Sequence, residues 1–255
     1  MTENELDRAL RQLRLGGMAD ALVVRARQAQ AEQLGPIDFF NLLVHDELDR
    51  RRDRLVERRI KSAELRDRKT LDTFNWGFNS SIDRALVFDL ATCRFIERHE
   101  DVLILGNAGI GKSHIAQAIG MAAIHGGFRV LYREAQRLFE ELVFANATDE
   151  RSELIAMLTE IPLLIVDDLG MRKLPASAAE DLLEIVMRRY ERASTIITSN
   201  RPLEDWPKMF SDTPAVTAFL DRLMHHGHFL QIRGKSYRLH ESSLAARQSK
   251  AKANT

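Results

Sequence analysis

The chain has 255 residues, 45% of them apolar, which is ordinary for a protein able to bury a sizeable core. Its 37 basic side chains balance 37 acidic ones, so net charge implies no partner, and no run approaches the roughly 18 apolar residues that would cross a bilayer. The polar, acidic start MTENELDRAL reads as neither a signal peptide nor a transit sequence, and the lone Cys93 excludes an internal disulfide, so a cytoplasmic setting is expected.

In chain order, residues 3–33 place Leu6, Leu10, Leu13, Met18, Leu22 and Val23 near helical spacing, with Gly16-Gly17 as a break. After Gly35-Pro36 a second helix is expected from near Asp38, a candidate N-cap, through Phe39, Leu42, Leu43 and Leu48. It runs on into RRRDRLVERRIKSAELRDRK at 50–69, which holds ten basic and four acidic side chains. Two readings of that stretch stand side by side. It is a solvated helical face laced with Arg–Glu pairs, or a phosphate-contacting stripe of Arg50, Arg51, Arg54, Arg58, Arg59 and Lys61. Residues 1–69 are thus expected to form a small all-α domain that binds DNA or a partner. The turn-rich, aromatic TLDTFNWGFNS at 70–80 reads as a junction.

From residue 81 helices alternate with short apolar strands. A helix is expected at 82–98, then DVLIL (101–105), a glycine loop, and a helix over 112–124. FRVLYRE (128–134), helices over 135–145 and 150–159, and LLIVDD (163–168) follow. A helix at 177–192 then precedes STIITSN (194–200). Strands apolar throughout and separated by helices predict a parallel sheet covered on both faces. This ATPase domain is expected to end near 242, with 243–255 a flexible tail.

GNAGIGKS at 106–113 fits G-x-x-x-x-G-K-[ST], directly after an apolar strand and directly before a helix. Gly106, Gly109 and Gly111 allow a tight turn, so that backbone N–H groups from Gly106 through Asn107, Ala108, Gly109, Ile110 and Gly111 to His114 face phosphate oxygens. Lys112 adds a point charge near the β- and γ-phosphates. Ser113 offers a hydroxyl to Mg²⁺, and the helix directs its positive end at the anion. LLIVDD places Asp167 at a strand end as a second Mg²⁺ holder. Asp168 is either the group that orients the attacking water or a loop-capping carboxylate. STIITSN ends in Asn200, an amide placed to hold the same water. Three strand ends carrying phosphate-, metal- and water-handling groups belong together at the carboxyl edge of a parallel sheet.

The succession GNAGIGKSH, LLIVDDLG, RRYERASTIITSNRPLEDW and LDRLMHHGHFLQIRGKSYRL resembles the IstB-like helper ATPases of bacterial insertion sequences. These are relatives of the DnaC-type helicase loaders within the AAA+ superfamily, and the resemblance covers nearly the whole chain. It implies a three-layer αβα P-loop core, ATP and Mg²⁺ as cofactors, and an ATP-dependent homo-oligomer; with 55 residues after Asn200, a reduced or absent lid is expected. It implies as partners duplex DNA, bound with little sequence preference, and a cognate transposase. A helicase loader binding a helicase and single strands is the alternative. Arg222 in LDRL resembles the family's arginine finger, which acts in a neighbouring subunit, though pairing with Asp221 would also account for it. Phe74 and Trp76 lie where the family has aromatics beside the adenine, or simply pack in the core. Arg233 and Arg238 are the candidates for a second phosphate sensor. Asp-Asp at 167–168 departs from the common Asp-Glu; the shorter Asp168 implies slow hydrolysis. His225, His226 and His228 lack further ligands at metal-binding spacing and are not read as a metal site.

Overall fold

The computed structural model describes residues 2–210 and 212–240; the expected tail at 243–255 lies outside them. The chain divides into two compact units, Met1–Arg59 and Ile60–Thr255.

The first unit is helical. Thr2 and Glu5 form a reciprocal capping box at the start of α1 (Glu3–Gln12). The break before α2 (Gly16–Ala31) falls at residues 13–15, and the glycine pair opens the new helix instead of interrupting it. The reason lies in α3 (Pro36–Ala63). Its Glu47 carboxylate accepts the Gly17 amide at 2.5 Å and the Met18 amide at 3.4 Å, capping α2 from a neighbouring helix. Burial pushes the Glu47 carboxyl up, but the Arg51 guanidinium and these amides outweigh it and hold it below its ordinary value. α3 begins at Pro36, the helix position that tolerates a missing N–H, so Asp38 lies in the first turn and is not the cap. Met18, Leu22 and Leu43 form the small core, flanked by Leu6, Leu10 and Phe39.

The second unit carries a five-stranded parallel sheet in the order β2-β3-β4-β1-β5. The strands are β1 (Asp101–Gly106), β2 (Val130–Glu134), β3 (Leu163–Leu169), β4 (Ser194–Ser199) and β5 (Gly227–Ile232). One face is covered by α6 (Lys112–His125), which packs against β1 to β4. The other meets α7 (Ala135–Ala147), α8 (Arg151–Glu160), α9 (Ala178–Arg189) and α11 (Thr213–His225). On that side Leu103, Leu105, Leu131, Leu164, Val166 and Ile197 join Phe139, Leu182, Trp206 and Phe219 in one core. This is the α/β, three-layer P-loop architecture. α10 (Trp206–Met209) is one turn that seats Trp206 in the core. No helix among the described residues is long and apolar enough to cross a membrane.

Several elements depart from the sequence expectation, α10 and α11 among them as helices that were not foreseen. The helix at 82–98 is two helices, α4 (Arg84–Ala91) and α5 (Arg94–Glu97), because Cys93 adopts a left-handed conformation at φ 65°. β5 was not foreseen at all: it is an edge strand on which only Leu230 and Ile232 are buried. The basic stretch is also divided. Its end turns back onto the ATPase unit, where Glu64 pairs with Arg133 and Arg137, Arg66 pairs with Glu134, and the Asp67 amide donates to Gln117.

The amino edge of the sheet holds a buried polar knot. Arg189 is 1% exposed, yet its guanidinium donates to the carbonyls of Leu158 and Ile161 at 2.7 and 2.8 Å, to that of Ser194, and to the Thr195 hydroxyl. These bonds stop the end of α8 and tie α9 to β4. Asp101 accepts the Thr195 amide at 2.7 Å. Burial dominates there and pushes its carboxyl from an ordinary 3.8 up to about 6, against the weaker pull of Arg189. The folded value exceeds the unfolded one, so this carboxyl's contribution to stability is complete below pH 3.8 and is lost as pH rises through about 6. Asp101→Asn keeps an acceptor for Thr195 and cannot ionise. Its unfolding free energy in urea, relative to the native chain, is expected to rise by about 2–3 kcal/mol between pH 4 and pH 7; a pH-independent difference would contradict this account.

Candidate functional site

The parallel register aligns the carboxyl ends of three strands. Leu105 lies beside Ser199, and Leu169 beside Ser199 across an irregularity that starts at Val166. The β1 end runs into the loop at 106–113, the β3 end into Asp167-Asp168, and the β4 end into Asn200. The three groups expected to share a site therefore sit along one sheet edge.

The loop is shaped by close approach. Gly106 has φ +147°, and a Cβ there would lie 2.1 Å from the Ile232 carbonyl oxygen. Gly111 has φ +108°, and a Cβ would meet the Phe74 ring at 2.8 Å. Any side chain at either position forces the β5 backbone or Phe74 away. The Tyr237 amide donates to the Gly109 carbonyl at 2.8 Å, so the segment after β5 is fastened to the loop as well. Lys112 is 4% exposed and donates to the Asn107 carbonyl at 3.0 Å. Burial pushes its ammonium below the ordinary value, while Asp168 and Asp167 act in the opposite direction.

A cavity of about 510 Å³ opens over the loop. Its walls include Ala108, Gly109, Ile110, Gly111, Lys112, Ser113 and His114 from the loop, Asp168 and Asn200 from the other strand ends, and Arg238. Gly106 and Asn107 are not among the lining residues: Gly106 lies against the Ile232 carbonyl, and the Asn107 carbonyl accepts from Lys112. The Asn200 Oδ1 atom is buried and has no hydrogen-bond partner among the described residues. A buried acceptor left open on a cavity wall suits a bound water or ligand donor.

Asp167 and Asp168 take different places. Asp167 is fully buried, and both carboxylate oxygens are engaged, one by the Tyr132 hydroxyl at 2.7 Å and the other by the Thr198 hydroxyl. The Tyr132 hydroxyl, buried beside that carboxylate, is pushed far above its ordinary value. Asp168 stands in a left-handed conformation at φ 57°, its amide donating to Thr198 Oγ1 at 2.9 Å. That twist turns its carboxylate into the cavity. Burial and then Asp167 raise the Asp168 carboxyl, opposed by Lys112 and Arg238. For Mg²⁺ the donor set fits: Ser113 and Asp168 offer hard oxygens at the cavity wall, and Asp167 adds negative charge behind them.

Arg222 is not on the cavity. It sits on α11, 3.2 Å from the Asp221 carboxylate, with its guanidinium 5.3 Å from the centre of the Tyr190 ring. Of the two sensor candidates, Arg238 lines the cavity, whereas the Arg233 side chain reaches Gln231. Phe74 lines the cavity; Trp76 does not, and stacks instead on Phe88 under Arg84. His114 donates from Nε2 to the Thr70 carbonyl at 2.9 Å, fastening the junction to the loop helix, and burial lowers its imidazole. The three clustered histidines are separately engaged: His225 with Tyr190, His226 with Glu191 and His228 with Glu100. On α3, Arg50 pairs with Asp20 and Arg51 with Glu47, while Arg54, Arg58 and Lys61 are exposed; Arg59 is half-buried.

Phe78, Asn79 and Tyr237 also line the cavity, as do Arg66 and Lys69. None had been singled out from the sequence for this site. The first two lie two and three residues beyond Trp76 in the aromatic junction, which was the available signal.

Comparison with known proteins places this geometry in a lineage. Residues 8–245 match the family described as IstB-like ATP binding protein. An ATP-binding protein of insertion sequence IS21 from Pseudomonas aeruginosa is 36% identical over 242 residues, covering 95% of this chain and 91% of that protein. One of insertion sequence IS5376 from Geobacillus stearothermophilus is 34% identical over 238 residues, covering 93% and 95%. Among solved structures, the DnaC helicase loader aligns with a TM-score of 0.55 at 22% identity, over 64% of this chain and 96% of that one. The DnaI structure gives 0.55 at 19% identity, over 65% and 91%. With a P-loop, an acidic β3 end and an asparagine after β4 on one edge of a parallel sheet, the chain belongs to the IstB-like ATP-binding family.

Proposed function

We propose that this chain is an ATP-dependent helper of insertion-sequence transposition. It assembles with ATP on duplex DNA, bends it and recruits or regulates a transposase, and hydrolysis drives disassembly. The observation that carries the reading is a separation. One cavity gathers the phosphate loop, Asp168, Asn200 and Arg238, while Arg222 stands outside it on an accessible helix. A site whose finger arginine, Arg222, stands outside it is finished by a second copy, which makes turnover a property of the assembly. The insertion-sequence relatives supply the biological setting.

In this reading the loop amides and Lys112 hold the β- and γ-phosphates. Lys112 then exchanges its bond to Asn107 for one to phosphate oxygen. Ser113 at the cavity wall and Asp167 at the end of β3 would hold Mg²⁺ with its water shell. When bound, Mg²⁺ supplies neutralisation of the phosphate charge. Asn200 Oδ1 accepts a hydrogen bond from the attacking water, and Asp168 orients that water and takes its proton. Arg238 senses phosphate from the same subunit, and Arg222 reaches it from the neighbour.

The DNA contacts start from α3. Arg54, Arg58 and Lys61 follow one another at helical spacing on a continuous helix and are exposed. Bending a site of 20–30 base pairs costs about 1–6 kcal/mol, which many such phosphate contacts from a multimer offset. These contacts carry no base information, so sequence preference is weak.

Three experiments test the reading. With ATP and duplex DNA, Asp168→Asn is expected to form large particles by light scattering that persist, whereas the native assembly disperses as ATP is consumed. Particle size indifferent to ATP would defeat the proposal, and a preference for single strands would favour a helicase loader. Arg222→Ala is expected to bind ATP normally but lose turnover by roughly 10³-fold. Mixing it with Lys112→Ala should restore activity, because each inactive variant supplies what the other lacks; no complementation means the finger does not act between subunits. Replacing Arg54 and Arg58 together by Ala should reduce the slope of log affinity against log salt for duplex DNA by about 2. An unchanged slope removes α3 from the interface.

A further inference from the structure

Tyr190 is the first residue beyond α9, and the backbone around it is fixed. Its own amide donates to the Val186 carbonyl at 2.8 Å. Arg189, just before it, is buried and donates to the carbonyls of Leu158, Ile161 and Ser194. The Arg189 carbonyl in turn accepts the amides of Arg192 and Ala193 at 2.9 and 3.0 Å, which closes the turn that follows. The Tyr190 ring therefore projects from an anchored position.

α11 packs against α9 and meets this side chain at both ends. The Arg222 guanidinium carbon stands 5.3 Å from the ring centre, within the range at which a cation is drawn to the negative face of an aromatic ring. One turn further along the same helix, His225 Nδ1 and the Tyr190 hydroxyl stand 2.7 Å apart in hydrogen-bond contact. Residues three apart on a helix share a face, so one face of α11 engages both the ring and the hydroxyl.

An arginine side chain is long, and ordering it at the moment of reaction costs entropy. The other partner of Arg222 is Asp221 at 3.2 Å, whose side chain is 73% exposed, so solvent weakens its hold. Asp221 also occupies N–H donors. The ring restricts the guanidinium without taking any of them, which leaves the planar fork available for phosphate oxygen.

We propose that Tyr190 is a positioning residue for Arg222: its ring holds the guanidinium in the pose from which it reaches the phosphates bound by a neighbouring copy. The inference rests on the reading of Arg222 as a finger that acts between subunits.

The test measures turnover on the full chain with duplex DNA, as kcat and as KM for ATP. Tyr190 is not among the residues that line the cavity, so Tyr190→Leu is expected to lower kcat about fivefold and leave KM unchanged. Tyr190→Phe, which keeps the ring, should recover most of that loss. In an Arg222→Ala background, Tyr190→Leu should cost nothing further, because it acts through that guanidinium. Phenylalanine and its 4-fluoro, 3,5-difluoro and 3,4,5-trifluoro forms, placed at position 190, withdraw negative charge from the ring face with little change of shape. Along that series kcat should fall stepwise. This arm does not depend on the leucine variant folding. A flat fluorination series, a rise in KM in place of the fall in kcat, or a Tyr190→Leu loss repeated in full without Arg222 overturns the positioning role and leaves the finger in place. An Arg222→Ala chain that turns over ATP normally overturns the finger, and this inference with it.

Discussion

The carboxyl edge of the sheet is organised around one buried carboxyl group. Asp167 is fully buried, and its two oxygens accept from two hydroxyls, Tyr132 on β2 and Thr198 on β4, so a single side chain spans three adjacent strands. The strand pairing is irregular just there, between Val166 and Leu169. Asp168 departs from strand geometry into the left-handed region, its amide caught by the same Thr198 hydroxyl. The direction in which Asp168 points therefore follows from how Asp167 is held. Two consecutive aspartates of identical chemistry take different places in the fold, one fully buried, the other facing the cavity.

The loop and its surroundings are equally interdependent. Phe74 covers Gly111, the Ile232 carbonyl covers Gly106, and His114 reaches back to Thr70. The phosphate loop is thus clasped by residues before and after the sheet. The aromatic residues of the cavity wall, Phe74, Phe78 and Tyr237, come from these clasping segments and not from the strands.

Much of this was legible in the sequence, and what was not has physical reasons. Strands β1 to β4 are buried along almost their whole length because both their faces are covered, and such stretches stand out. β5 pairs on one side only and alternates exposed with buried residues across GHFLQI, so it has no such run. The 82–98 segment reads as one helix because its periodicity continues through Cys93, whose left-handed backbone leaves no trace in hydropathy. The arginine-rich stretch reads as one block by composition, but Glu64, Arg66 and Asp67 find partners on the ATPase unit. Within the junction, spacing alone does not tell which aromatic faces the cavity. Trp76 is drawn off by Phe88 and Arg84, leaving Phe74 and Phe78. Asn200 was legible as a strand-end amide, yet its open oxygen is visible only in three dimensions.

β5 also joins two places that the sequence keeps apart. α11, which carries Arg222, ends at His225, and β5 begins at Gly227, so a single residue intervenes. The strand then runs in register along β1 as far as Gly106, where Ile232 lies against the loop, and the chain continues to Tyr237 on Gly109. The connection is short: only His226 separates the helix that carries Arg222 from a strand whose far end lies against the backbone that shapes the phosphate grip.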